Sequence, residues 1–69
     1  MWKRKFYSLE VITNEGENRK LRTTYSGYKT IRFRYNKSNK TLKATLIKHN
    51  GQKKVIEKVN VESVEKYQD

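Results

Sequence analysis

Hydrophobic and polar residues alternate along the middle of the chain, most clearly from Tyr28 to Tyr35. In an extended strand, successive side chains point to opposite faces. The alternation separates the apolar members of this stretch from the polar and charged ones: Ile31, Phe33 and Tyr35 against Thr30, Arg32 and Arg34. The pattern predicts a strand with one dry side and one cationic side.

Similar alternation elsewhere, interrupted by turn residues, predicts five strands. Their approximate ranges are residues 2–13, 19–25, 28–35 and 40–49, followed by a last strand that ends near Val61. Beyond it, the threefold spacing of Val61, Val64 and Tyr67 leaves a short terminal helix open. The predicted fold class is all-β or mainly β, a five-stranded antiparallel meander closing into a small SH3-like or OB-like barrel. A curved open sheet is the alternative.

The turn between the second and third strands contains Gly27. A two-residue turn there would place apolar residues opposite basic ones, whereas a three-residue turn sets Leu21 opposite Phe33. We therefore expect Gly27 to occupy a bulged turn with a positive φ.

The later turns set the register of the remaining strands. A four-residue turn at residues 36–39 would bring Phe33 opposite Leu42. Asn50-Gly51 is typical of a two-residue type I′ turn, which would set Leu46 opposite Val55. Apolar residues of neighbouring strands then lie opposite one another, except that Glu57 falls opposite Ala44.

The composition predicts one small domain spanning residues 1–69. Only 33% of the residues are hydrophobic, and no cysteine is present to supplement so small a core. No export signal or apolar run long enough to cross a bilayer is evident, so a cytoplasmic protein is expected. A core this small is also compatible with a homodimer formed through an exposed edge strand, or through Trp2 and Phe6.

Positive charge is concentrated in the middle of the chain. The sequence has 17 Lys and Arg against 7 Asp and Glu, a net charge of +10. Residues 18–56 contain no acid and the following cations: Arg19, Lys20, Arg22, Lys29, Arg32, Arg34, Lys37, Lys40, Lys43, Lys48, Lys53 and Lys54. A compact domain with such a charge repels itself, and a polyanionic partner would relieve that repulsion.

The sequence does not predict an enzyme, a metal site or a cofactor. His49 is the single histidine and lies beside a predicted turn, and there is no cysteine. A nucleophile needs a base and an orienting group, and a zinc site needs several His or Cys ligands. The acids lie in polar turns or near the ends of the chain, so a pair of buried catalytic carboxylates is not expected.

Basic residues interleaved with aromatic ones favour nucleic acid, single- or double-stranded, as the partner, with DNA slightly ahead of RNA. In such sites cations follow phosphates and rings stack on bases. The candidate residues are Arg22, Arg32, Arg34, Tyr28, Tyr25, Lys29, Lys43, Lys53 and Lys54.

A protein-interaction module is the alternative function. In that case the cationic face would dock on an acidic protein surface, as an inhibitor or adaptor of the kind that phages and mobile elements encode. A membrane-surface role is disfavoured, because no amphipathic helix is evident.

Overall fold

The computed structural model describes residues 4–69, and every regular element within them is a β-strand. The six strands are β1 (Tyr7–Gly16), β2 (Arg19–Tyr28), β3 (Thr30–Asn36), β4 (Thr41–Ile47), β5 (Lys53–Lys58) and β6 (Val61–Gln68). The all-β class is therefore confirmed for this part of the chain. Trp2, where the first strand was predicted to begin and through which a homodimer could form, lies outside the described residues. Residues 4–69 contain no helix of the length and apolarity needed to span a bilayer.

The strands form two antiparallel sheets of three strands each. The first sheet has the order β2–β1–β6 and the second has the order β3–β4–β5. Their inner faces bury one shared cluster of apolar side chains: Leu9, Val11, Tyr28, Ile31, Leu42, Ala44, Leu46, Ile56 and Val61. Burying one large aliphatic side chain contributes about 1.5–3 kcal/mol, so these few residues carry much of the stability of the fold.

The predicted hairpin between the second and third strands is wrong. Strand β2 pairs with β1 as far as Tyr28, and the chain then crosses to the second sheet at Lys29. Gly27 does have a positive φ of 84°, as predicted. It forms a bulge inside β2, between the pairs Leu9–Tyr25 and Tyr7–Tyr28, and does not reverse the chain. Leu21 and Phe33 consequently lie in different sheets.

The C-terminal segment is a sixth strand and not a helix. Strand β6 pairs with β1, with Val64 opposite Val11 and Val61 opposite Thr13. A register shift between Ile12 and Thr13 leaves Glu62 as the extra residue of a bulge. The bulge turns both valines inward although they are three residues apart, so this spacing occurs here in a bulged strand and not in a helix.

The second sheet keeps the predicted strand order but not the predicted register. Phe33 lies opposite Ala44 and Ile31 opposite Leu46, a shift of two residues that leaves every side chain on its expected face. The β4–β5 pairing is shifted by one residue, which turns every side chain of β5 over. Ile56, and not Val55, faces the core.

Six strands in two sheets therefore replace the predicted five-stranded meander, and the sheets do not close into the predicted SH3-like or OB-like barrel. The described chain is elongated, with extents of 49 × 17 × 16 Å. The connection between β5 and β6, which leads from the second sheet to the first, meets β1 at Asn14, whose N–H donates to the Asn60 carbonyl at 2.8 Å. The tip of the β1–β2 hairpin projects beyond that point, and residues 15–22 are all exposed.

Candidate nucleic-acid interface

The outer face of the second sheet collects basic side chains from two neighbouring strands. Alternation along β3 buries Ile31 and leaves Arg32 and Arg34 exposed on the opposite side. Alternation along β4 likewise exposes Lys43 between the buried Leu42 and Ala44. We call Arg32, Arg34 and Lys43 the outer basic face. The remaining outward positions in the sheet are Thr30, Asn36, Thr41, Thr45, Ile47, Lys53, Val55 and Glu57.

The three cations of the outer basic face lie close together on two neighbouring strands. Arg34 and Lys43 are direct cross-strand partners. Side chains in such pairs have Cβ atoms about 4.5–5.5 Å apart, and like charges in this arrangement are destabilising. Arg32 is one pleat repeat away along β3, at about 6.7 Å. The same three cations line an open hollow of about 250 Å³ together with Phe33 and Thr45.

One carboxylate lies on this face. Glu57 is the cross-strand partner of Lys43, with 3.7 Å between Oε1 and Nζ. Both side chains are mostly exposed, at 72% and 67%, so the pair is well hydrated and weak. Within residues 4–69, no carboxylate forms an ion pair with Arg32 or Arg34. The two arginines therefore keep their charge available for an external anion.

Three of the predicted cations, Arg22, Lys29 and Lys54, lie outside this face. Lys54 is paired with Leu46, on the inner side of β5. Arg22 is on the outer side of the first sheet, where its Nε lies 3.6 Å from Oε1 of Glu10. Lys29 occupies the crossover between the sheets, and its N–H donates to the Ile47 carbonyl at 2.8 Å. Lys29 is exposed and lies at the same end of the second sheet as Lys53.

The two predicted stacking tyrosines lie at the edge where β2 approaches β5. Tyr28 is only 7% exposed and belongs to the core, so little of its ring is open to a base. This burial does not fit the stacking role predicted for Tyr28. Tyr25 is half-buried, with the Lys54 Nζ 5.5 Å from its ring centroid. The tyrosine rings thus contact lysines of the same chain.

Lys48 was not among the predicted residues, yet its Nζ lies 5.8 Å from the centre of the Tyr28 ring. Tyr28 and Lys48 are far apart in sequence and meet only because the chain crosses between sheets at Lys29. The sequence signal that could have pointed to Lys48 is its position beside the Asn50-Gly51 turn, close to Lys53 and Lys54 once the hairpin closes.

His49 is held in place by a hydrogen bond and by a ring contact. Its Nε2 lies 2.9 Å from the Lys5 carbonyl oxygen, and its ring packs edge-on against Phe6 at a centroid distance of 4.8 Å. His49, which the sequence places beside a turn, is therefore half-buried and hydrogen-bonded. Across residues 4–69, no three His, Cys, Asp or Glu side chains come together in a group that could hold a metal ion.

Comparison of the chain with protein-family models, with curated proteins and with solved structures finds no match in any of the three. The geometry and charge of the residues described above are therefore the basis on which a function is assigned.

Proposed function

We propose that the protein is a non-catalytic nucleic-acid-binding module that attaches to the phosphate backbone through its outer basic face. The observation that carries this proposal is the juxtaposition of Arg32, Arg34 and Lys43 on one side of the second sheet, which holds a single weakly paired acid. Phosphate contacts of this kind supply most of the affinity of non-specific binding. A phosphate between Arg34 and Lys43 would also remove the repulsion of two like charges held face to face.

The chemistry of this face favours backbone attachment over base recognition. None of the outward positions of the second sheet is aromatic. Phe33, which is 39% exposed, is the one ring that lines the hollow between Arg32 and Arg34. Base stacking, which grooves for single strands use, would therefore involve a single ring there. A basic sheet face can lie along a duplex, where phosphates are dense, and we expect modest sequence specificity with DNA ahead of RNA.

The test is a comparison of two double variants of equal charge. Arg32→Gln with Arg34→Gln removes two cations from the outer basic face, and Arg19→Gln with Lys20→Gln removes two from the exposed hairpin tip. We expect the first variant to bind a duplex DNA oligonucleotide about tenfold more weakly at low salt. Its plot of log affinity against log salt concentration should flatten by about two units of slope, because two phosphate contacts are lost.

Fluorescence anisotropy with a labelled duplex measures both quantities. The hairpin variant controls for net charge and should lose much less affinity. Equal losses of affinity in the two variants, or an absence of binding by the unmodified protein at low salt, would contradict the proposal.

An acidic protein partner is the second candidate, and one observation favours it. Val55 and Val59 are exposed, at 52% and 66%, on or beside the face that carries Arg34 and Lys43. Protein interfaces combine apolar and charged contacts in this manner. Nuclease treatment of a pull-down separates the two candidates, because a protein partner is retained after nucleic acid has been digested.

A further inference from the structure

A second cluster of cations lies at the end of the second sheet, next to the outer basic face. Lys48, Lys53 and Lys54 line an open hollow of about 420 Å³ together with Tyr28 and Gln52. We call these three lysines the lysine notch. Lys53 also belongs to the outward row of β5, so the notch adjoins the outer basic face.

Hydrogen bonds of the β4–β5 turn fix the positions from which these lysines project. The N–H of Lys48 donates to the Gln52 carbonyl, and the N–H of Gly51 donates to the Lys48 carbonyl, each at 2.9 Å. The N–H of Gln52 donates to Oδ1 of Asn50, also at 2.9 Å. Three bonds across so short a turn hold the backbones of Lys48 and Lys53 at a set separation.

Aromatic contacts restrain two of the three ammonium groups. The Nζ of Lys48 lies 5.8 Å from the Tyr28 ring centroid, and the Nζ of Lys54 lies 5.5 Å from that of Tyr25. Cations at such distances are attracted by the face of the ring. Tyr28 is part of the core, so the ring that Lys48 contacts is rigid. Lysines that are already restrained lose less side-chain entropy on binding a ligand than freely moving lysines would.

The notch holds positive charge without an internal counter-charge. The ion pairs among residues 4–69 involve Arg22, Lys40 and Lys43, and none of the three notch lysines takes part in one. Lysine is a point charge with three donors and suits the oxygens of a phosphoryl group. Three such charges together favour an anion with more than one negative charge.

We infer that the lysine notch binds the phosphomonoester group, the terminal phosphate of a nucleotide or of a nucleic-acid strand. A phosphomonoester carries a charge of about −1.5 to −2 and three acceptor oxygens near neutral pH, whereas a backbone phosphodiester carries a single charge. Its three terminal oxygens match the three lysines in number. Binding of the terminal phosphate of a strand depends on the proposed function, whereas binding of a free nucleotide does not.

The experiment uses three duplex DNA oligonucleotides of one sequence, which carry a 5′-phosphate, a 5′-methylphosphate or a 5′-hydroxyl. The unmodified protein should bind the 5′-phosphate form about fivefold more tightly than the other two. Lys48→Gln with Lys54→Gln should abolish this preference. Arg32→Gln with Arg34→Gln, which removes the same charge, should weaken binding to all three and keep the fivefold ratio.

A nucleotide titration makes the inference independent of binding along a strand. With thymidine 5′-monophosphate alone, amide chemical shifts should move at Lys48, Gln52, Lys53 and Lys54 in the unmodified protein, and the movement should be lost in the Lys48→Gln, Lys54→Gln variant. Equal affinity for the three oligonucleotides together with no shift in the nucleotide titration would overturn the inference. So would a 5′-phosphate preference that persists in the lysine variant. A protein that binds the nucleotide but no oligonucleotide would disprove the proposed function and keep this site.

Discussion

At the scale of single residues, Glu62 of β6 connects strand β1 of the first sheet with the β3–β4 turn of the second sheet. Its Oε1 accepts a hydrogen bond from Nδ2 of Asn14 and its Oε2 one from Nζ of Lys40, both at 3.2 Å. Beside them, the N–H of Val61 donates to the Lys40 carbonyl at 2.8 Å. The hydrogen bonds from Lys40 and Asn14, with the positive charge of Lys40, lower the pKa of the Glu62 carboxyl below its usual 4.5.

Because of this lowered pKa, the free energy of unfolding should fall at acidic pH. Because the folded state favours the ionised carboxylate, the stabilising contribution is present above the ordinary value of 4.5 and is lost as the pH falls through the lower folded value. Glu62→Gln should therefore lower the melting temperature at pH 7. The difference from the unmodified protein should shrink below pH 4.5, as thermal unfolding followed by circular dichroism can show.

Glu57→Gln is the matched control for this substitution. Its ion pair with Lys43 is longer, at 3.7 Å, and both partners are mostly exposed, so little stability should be lost. If the Glu62 variant loses no more stability than this control at pH 7, Glu62 does not join the two sheets energetically.

At the scale of elements, the β4–β5 hairpin decides which side of β5 is buried. The loop contains three residues, His49, Asn50 and Gly51, and of these only Gly51 has a positive φ, at 90°. This is a type I turn followed by a glycine bulge, not the predicted two-residue type I′ turn. The longer loop places Ile56 opposite Ala44 and Glu57 opposite Lys43, which removes the mismatch of Glu57 against Ala44 in the predicted register.

Two alanine substitutions at neighbouring positions test this register. Ile56 is 8% exposed and Val55 is 52% exposed. Ile56→Ala should lower the free energy of unfolding by about 2–5 kcal/mol, because it leaves a cavity in the core. Val55→Ala should change it by about 0.5 kcal/mol or less. Urea denaturation measures both changes, and the reverse order of the two effects would indicate the two-residue turn.

At the scale of the whole molecule, the fold carries substantial electrostatic self-repulsion. The net charge is +10 on 69 residues, and the ion pairs among residues 4–69 engage three cations. Arg34 and Lys43 face each other across a strand pair. The elongated shape spreads this charge over 49 Å but does not remove it.

Salt should therefore have opposite effects on stability and on binding. Raising the ionic strength from 0.01 to 0.15 M shortens the Debye length from about 30 to about 8 Å, which screens repulsion among the cations. The melting temperature should rise over this interval, while affinity for a DNA duplex falls through loss of counterion release. Differential scanning calorimetry and anisotropy measure the two effects, and a melting temperature that falls with salt would show that the ion pairs outweigh the repulsion.

Alternation in the sequence was enough to predict several features of the fold and of the candidate site. It indicated the all-β class, the burial of Ile31 and Leu46, and the exposure of Arg32 and Arg34. The positive φ of Gly27 was also predicted, as part of a bulged turn; the positive φ is confirmed, and the turn is replaced by a bulge within β2. These features depend on the period of a strand and on the chemistry of one residue, both of which are local.

Strand pairing and the exact turn lengths were decided by the tertiary structure. A change of one residue in the β4–β5 loop, or the bulge at Glu62, turns a whole strand over, and the local preferences of the competing turns are too similar to settle the choice. Burial of both sheets against one shared core settles it, because all the apolar faces must then point inward together. The lysine notch arises in the same way: Lys48 and Tyr28 meet only after the chain has crossed between the sheets. The sequence by itself determined which side chains lie on each side of a strand and how much charge the surface carries, and the packing of the two sheets determined which of those charges lie side by side.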